Sequence, residues 1–159
     1  DLAAENGLRF VATNVPRRYA NLVARQGLEA LGRLSEEARR YLAPLPVRVD
    51  LGAPGYRDMP SMNLPMGGVP VAPENLVAAQ ALKDATMAHF ISREIAPGRL
   101  FLHLNGTFHS DDRGGICWYL ERLRPQLRVM TIASVLGDPA AFDAAWRGRG
   151  DFVAVAAES

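Results

Sequence analysis

The sequence predicts an α/β fold, a layered, mostly parallel sheet flanked by helices, and three observations lead there. Short apolar runs recur at 8–12, 100–104, 129–135 and 151–156. Longer stretches with helical apolar spacing separate them, which is the alternation of a parallel layered sheet. The run at 100–104 then breaks at Asn105-Gly106 into a polar turn that feeds a new helix. Such a turn lies at the carboxyl edge of a sheet, where open α/β folds bind ligands.

Taken in order, DLAAENG reads as the last turns of a helix closed by Gly7, so the chain is expected to open inside an element. The run at 8–12 is a strand, and Pro16 fits the first position of the next helix, where its missing donor costs nothing. That helix extends to about Gln26 with Tyr19, Leu22 and Val23 on its apolar side and Gly27 as cap. Residues 28–34 continue helically, and Ser35 caps a short helix that begins with Glu36 and Glu37. The stretch 43–73 carries seven prolines and four glycines without a periodic segment. It is long for a connection within a compact domain and is expected to be a lid or insertion over a site. Met59, Met62 and Met66 recur in it at three- and four-residue spacing, either as soft apolar surface for a flat ligand or partner, or folded onto the core.

Pro73-Glu74-Asn75 opens the longest helix, to about Ala96, with Val77, Ala81, Ala85, Ala88, Ile91 and Ile95 as a core-facing stripe. Gln80, Asp84 and Met87 form an adjoining line. A helix over 113–123 and a short one around Phe142–Trp146 complete the pattern. No internal repeat appears, and 1–159 is read as one domain.

A chain of 159 residues is one domain long and can bury about 68–70% of its unfolded surface. Its 18 basic and 17 acidic residues leave a formal charge of +1. With no basic face or interleaved aromatic patch, nucleic acid is not an expected partner. Cys117 is the only cysteine, so neither an internal disulfide nor a CxxC metal knuckle is possible. The nucleophile elbow, the Walker loop, GxGxxG and HExxH are all missing, which removes support from serine hydrolases, nucleotide hydrolases and dinucleotide oxidoreductases.

The residues with chemistry cluster after the run at 100–104. His109 lies past the strand end, where an imidazole can ligate a metal or haem iron or move a proton. His103 sits within the strand, as a hydrogen-bonding structural residue or as part of a site. Asp111 and Asp112 read as cap and first-turn charges of the following helix, Cys117 as a buried inert thiol, and His89 as a residue of the core margin. Arg17, in the first turn of its helix, either holds an anion or points to water.

GLRFVATNVPRR at 7–18, AQALKDATMAHFI at 79–91, HLNGTFHSDDRGGICWYL at 103–120 and VMTIASV at 129–135 together resemble the ChaN-type haem-binding, iron-regulated lipoproteins of the TIKI/TraB-like superfamily. Gly106-Thr107-Phe108-His109 matches that superfamily's GxxH element. Its partner, a glutamate- and histidine-containing element, would precede Asp1, so the chain is expected to be the carboxyl-terminal portion of the family domain. The resemblance implies haem as cofactor and His109 as a site residue, with a divalent metal ion at His109 as the alternative. Tyr56 is the expected iron ligand, Arg17 the partner of a propionate, and His103 and Met66 further contacts. It also implies haem or iron handling at the bacterial cell envelope, a lipid-anchored parent protein and a possible homodimer. A TIKI-like metal-dependent hydrolase and a non-catalytic envelope interaction domain are the alternatives.

Overall fold

The structure, a computed structural model, describes residues 2–57, 59 and 71–157. Its axis is α4 (Pro73–Glu94), with Pro73 at its first turn. The stripe Val77, Ala81, Ala85, Ala88 and Ile91 is buried as its spacing requires, but so are Ala78, Ala79, Leu82 and Met87 on other faces. A helix apolar nearly all round belongs at the centre of a core. Here α2 (Arg17–Gln26) and α5 (Ile116–Leu123) pack against it, and the alanines keep the approach close.

Local chemistry sets the boundaries. Pro16 stands just outside α2 rather than within it, and α2 stops at Gly27, whose φ of 78° suits glycine and whose N–H donates to the Val23 carbonyl. A 3-10 turn, Leu28–Arg33, follows. Ser35 then accepts the Ala38 N–H at 3.2 Å and starts α3 (Glu36–Arg39). At the amino end, α1 (Leu2–Glu5) is a single turn followed by Gly7.

The stretch expected to be a lid or insertion is, in its described part, a contributor to the core. Ala43, Val47, Ala53, Tyr56 and Met59 are buried. The Ala43 N–H donates to Thr86 Oγ1 on α4, and the Tyr119 hydroxyl of α5 donates to the Arg48 carbonyl. Hydrogen bonds to neighbouring helices thus replace those a regular element would supply. Met62 and Met66 lie outside the described residues.

The class is α/β, but the sheet is smaller than its apolar runs predict. β1 (Ile132–Leu136) and β2 (Phe152–Ala156) pair in parallel, from Ile132 opposite Phe152 to Leu136 opposite Ala156. Asp151 closes their amino end by accepting from the Thr131 N–H at 2.7 Å, the Thr131 hydroxyl at 3.0 Å and Arg113. Those bonds, the Thr131 contacts foremost, hold the Asp151 carboxyl below its usual range. The segments 8–12 and 100–104 are not strands. They alternate correctly, with Phe101 against the core and Leu100, Leu102 and Leu104 exposed, yet no described backbone pairs with theirs. A ladder needs a neighbour as well as a pattern. Side chains anchor them instead, Arg9 to Glu94 at 2.7 Å and Thr13 to His103 at 2.8 Å.

This division predicts where stability resides. Leu82→Ala, at a fully buried position of α4, should cost about 2–5 kcal/mol in urea unfolding. Leu102→Ala, at a position 76% exposed, should change it by no more than about 0.5 kcal/mol. Comparable losses for the two would show that 100–104 is packed rather than uncovered.

Candidate functional site

The loop between Asn105 and α5 is built to return to α4. Thr107–His109 makes one 3-10 turn and Asp111–Arg113 a second, with Asp112 and Arg113 both at φ 54°. Gly114 and Gly115 then admit a close approach. A Cβ on Gly114 would collide with the Pro54 carbonyl, and one on Gly115 would stand 3.0 Å from Asp84 Oδ2 and 2.5 Å from the His109 carbonyl oxygen. Gly115 also has φ 48°, a left-handed conformation that favours glycine. Neither Asp111 nor Asp112 caps α5, which begins after Gly115 without a side-chain cap. Asp111 instead pairs with Arg149 at 2.6 Å, tying the loop to the turn before β2.

Three distant segments converge on Asp84. Its carboxylate is fully buried in α4 beside Ala81, Leu82, Ala85 and Ala88. The Tyr56 hydroxyl donates to Oδ2 at 2.6 Å, and His109 Nδ1 lies 2.5 Å from Oδ1. Burial raises the Asp84 carboxyl above its ordinary range, while the bonds from His109 and Tyr56 oppose that rise. Tyr56 is itself fully enclosed, and burial first, then the Asp84 charge, pushes its phenol far above the usual value. Tyr119 extends the cluster toward Arg48 and is raised in the same way, chiefly by burial.

Gln80, one turn before Asp84, places its amide 2.9 Å from the same His109 nitrogen. One ring nitrogen cannot both donate to a carboxylate and accept from an amide. The carboxylate is the stronger acceptor, so Nδ1 donates to Asp84, and the Gln80 amide can turn to present its oxygen instead. Turning it costs only the 3.4 Å contact from Lys83. Nε2 has no partner among the described residues, on a side chain 16% exposed.

A family model described as haem-binding uptake, Tiki superfamily, ChaN, matches residues 1–120 of the chain. The chain belongs to this ChaN haem-binding family. No curated protein and no solved structure matches it. The match runs from α1 into α5, ending at residue 120, hence covers every residue of the Asp84 cluster, and leaves β1 and β2 outside.

In this ChaN-family chain, Tyr56 and His109 of the expected site residues meet at Asp84. His103 donates from Nδ1 to Asn105 Oδ1 at 3.0 Å and accepts the Thr13 hydroxyl at Nε2, so both nitrogens are engaged. Asn105 in turn donates to the Ser110 hydroxyl, linking His103 to the His109 loop. Arg17 is exposed in the first turn of α2, four residues after Thr13, with no hydrogen bond or ion pair to the described residues. Met66 lies outside the described residues. His89 stacks edgewise on Phe90, and burial lowers its pKa. Cys117 is buried and its thiol pushed up by burial, the expected inert setting.

The haem that the family indicates fits what is present in one respect above all: His109 offers an imidazole with one uncommitted nitrogen on a partly exposed side chain, next in sequence to the half-exposed Phe108. A divalent ion finds less. No group of three His, Cys, Asp or Glu side chains converges among the described residues. Sequence reasoning missed Asp84, Gln80 and Tyr119 as parts of the site. A signal existed for Asp84, an acid set among alanines and leucine on the most apolar helix of the chain.

The buried phenol gives a pH prediction. Tyr56 has a folded-state pKa above its unfolded value of 10.0, so the native state retains a proton that the unfolded chain loses, and stability falls as pH rises beyond 10. Urea midpoints of wild type and Tyr56→Phe at about pH 9 and about pH 11 measure this. The variant should lose about 1–3 kcal/mol at the lower pH, from the partner taken from Asp84, and show a smaller alkaline decline. An equal decline in both would mean that the phenol ionises freely in the native state.

Proposed function

We propose that this chain binds haem through His109 Nε2 and serves haem or iron uptake at the bacterial cell envelope. The observation that carries the reading is the Asp84–His109 contact, because it commits Nδ1 and leaves Nε2 as the ring nitrogen free to meet iron. Neutral imidazole with one nitrogen held by a carboxylate is a common arrangement for a metal ligand. Haem supplies the iron and a broad apolar face, and the protein's part is to bind and orient it.

The same reading gives roles to the remaining residues. Arg17 is exposed, with no partner among the described residues, and its guanidinium fork suits a propionate carboxylate. His103 bridges Thr13 and Asn105. Tyr56 acts on Asp84, to which its hydroxyl is committed, rather than on iron directly. Met66 is proposed as an apolar contact to the ring. A homodimer and a lipid-anchored parent protein belong to the same reading.

Haem titration followed by visible absorbance tests the proposal. Wild type should give a saturable complex, and His109→Ala should weaken it by about tenfold or more, equivalent to about 1.4 kcal/mol. His89→Ala should leave affinity unchanged. If both variants titrate alike, His109 is not the ligand.

A further inference from the structure

We infer that Asp111, Arg113, Arg149 and Asp151 form a latch, closing in one register only, by which the β1–β2 pair holds the loop 107–115 against α4. The latch belongs to the ligand-free chain and stands whichever side chain meets a ligand. It makes the β1–β2 pair, which lies outside the family match, a positioning element for the loop of the candidate site.

Geometry makes the first argument. Two ion pairs join the loop to the turn before β2. Arg149 sets Nε 2.8 Å and Nη2 2.6 Å from Asp111 Oδ2, and Arg113 Nη1 donates to both Asp151 oxygens, at 3.0 and 3.1 Å. Arg113 also donates to the Val129 carbonyl at 3.4 Å, so one guanidinium reaches the chain ahead of both strands. Asp151 is immobilised in turn by the Thr131 N–H and hydroxyl. An isolated surface pair holds little, but guanidinium forks joined in a network fix a geometry.

The order of the charges makes the second. Along the loop the signs run negative then positive, at 111 and 113, and along the turn positive then negative, at 149 and 151. Pairing 111 with 149 and 113 with 151 brings opposite charges together. The reverse pairing would set Asp111 against Asp151 and Arg113 against Arg149, so the sequence itself selects the register. Gly150 shapes the turn that presents the two partners: a Cβ there would lie 2.9 Å from the Phe152 carbonyl oxygen and 3.1 Å from the Ala133 nitrogen.

Backbone strain makes the third. Asp112 and Arg113 are consecutive non-glycine residues at φ 54°, a left-handed conformation that side chains disfavour and that persists only where the surroundings impose it. The strained pair sits within the latch, immediately before Gly114 and Gly115, whose backbone passes the Pro54 carbonyl and Asp84. No side-chain cap at the start of α5 holds the loop from its other end. The restraint therefore comes from 149 and 151. With the latch open, the loop relaxes away from α4 and carries His109 off Asp84.

Amide hydrogen exchange of the ligand-free protein, followed by NMR, tests the latch at His109, Ser110, Gly114 and Cys117, whose N–H groups are bonded within the turns of the loop. Asp111→Asn should raise their exchange rates about threefold or more, and Asp111→Arg, which sets two guanidinium groups together, should raise them further. Asp111→Arg combined with Arg149→Asp restores an opposite pair in the same place and should return the rates to within about twofold of wild type. In wild type, raising salt from about 0.02 M to about 0.5 M should speed the same four amides, because screening reaches partly exposed pairs. The amides of Tyr56 and α4 should keep their rates throughout. Unchanged rates in Asp111→Asn, or a reversed pair as open as Asp111→Arg, would overturn the inference. So would an equal rise along α4, which would assign the ion pairs to overall stability and not to the loop.

Discussion

An ionisable group enclosed at the centre of an apolar helix is the constraint on which the other parts of this molecule depend. Asp84 can stay in the core of α4 only if both of its oxygens are met by donors. The chain supplies them from opposite directions, a phenol 28 residues before it and an imidazole 25 residues after it. The irregular stretch containing Tyr56 and the glycine-rich loop containing His109 therefore have to lie against the same turn of helix. Gly114 and Gly115 make this sterically possible, since side chains there would meet the Pro54 carbonyl and Asp84 itself.

The same constraint explains how a long stretch without secondary structure can belong to a core. Segments of this kind are usually excluded because their backbone groups go unsatisfied. Here Thr86, Tyr119 and Asp84 provide hydrogen-bonding partners from α4 and α5, and the buried side chains of Ala53, Tyr56 and Met59 add apolar contact. Membership of the ChaN haem-binding family gives this architecture a purpose. The enclosed cluster ends at the partly exposed His109 ring, the feature the proposed function uses.

Local patterns in the sequence were sufficient for local structure. The alanine stripe of α4, the stop at Gly27, the Ser35 cap and the inert setting of Cys117 follow from spacing and side-chain chemistry, and all are present. His109 was legible as the residue past a break in an apolar run. What local pattern could not carry was partnership. The runs at 8–12 and 100–104 have the alternation of strands but no described backbone to pair with, and Asp111 met Arg149, 38 residues on, instead of capping the helix beside it. In the sequence Asp84 is only one of a line of residues on α4, because its meaning depends on donors that no helical periodicity can place there.

Hydrogen exchange of Asp84→Ala, compared with wild type by mass spectrometry, tests most directly whether this carboxylate holds the two segments in place. The account predicts lost protection over 53–57 and 106–117 together, with α2 retaining its wild-type protection. Unchanged exchange in both segments, or loss in one without the other, would contradict it.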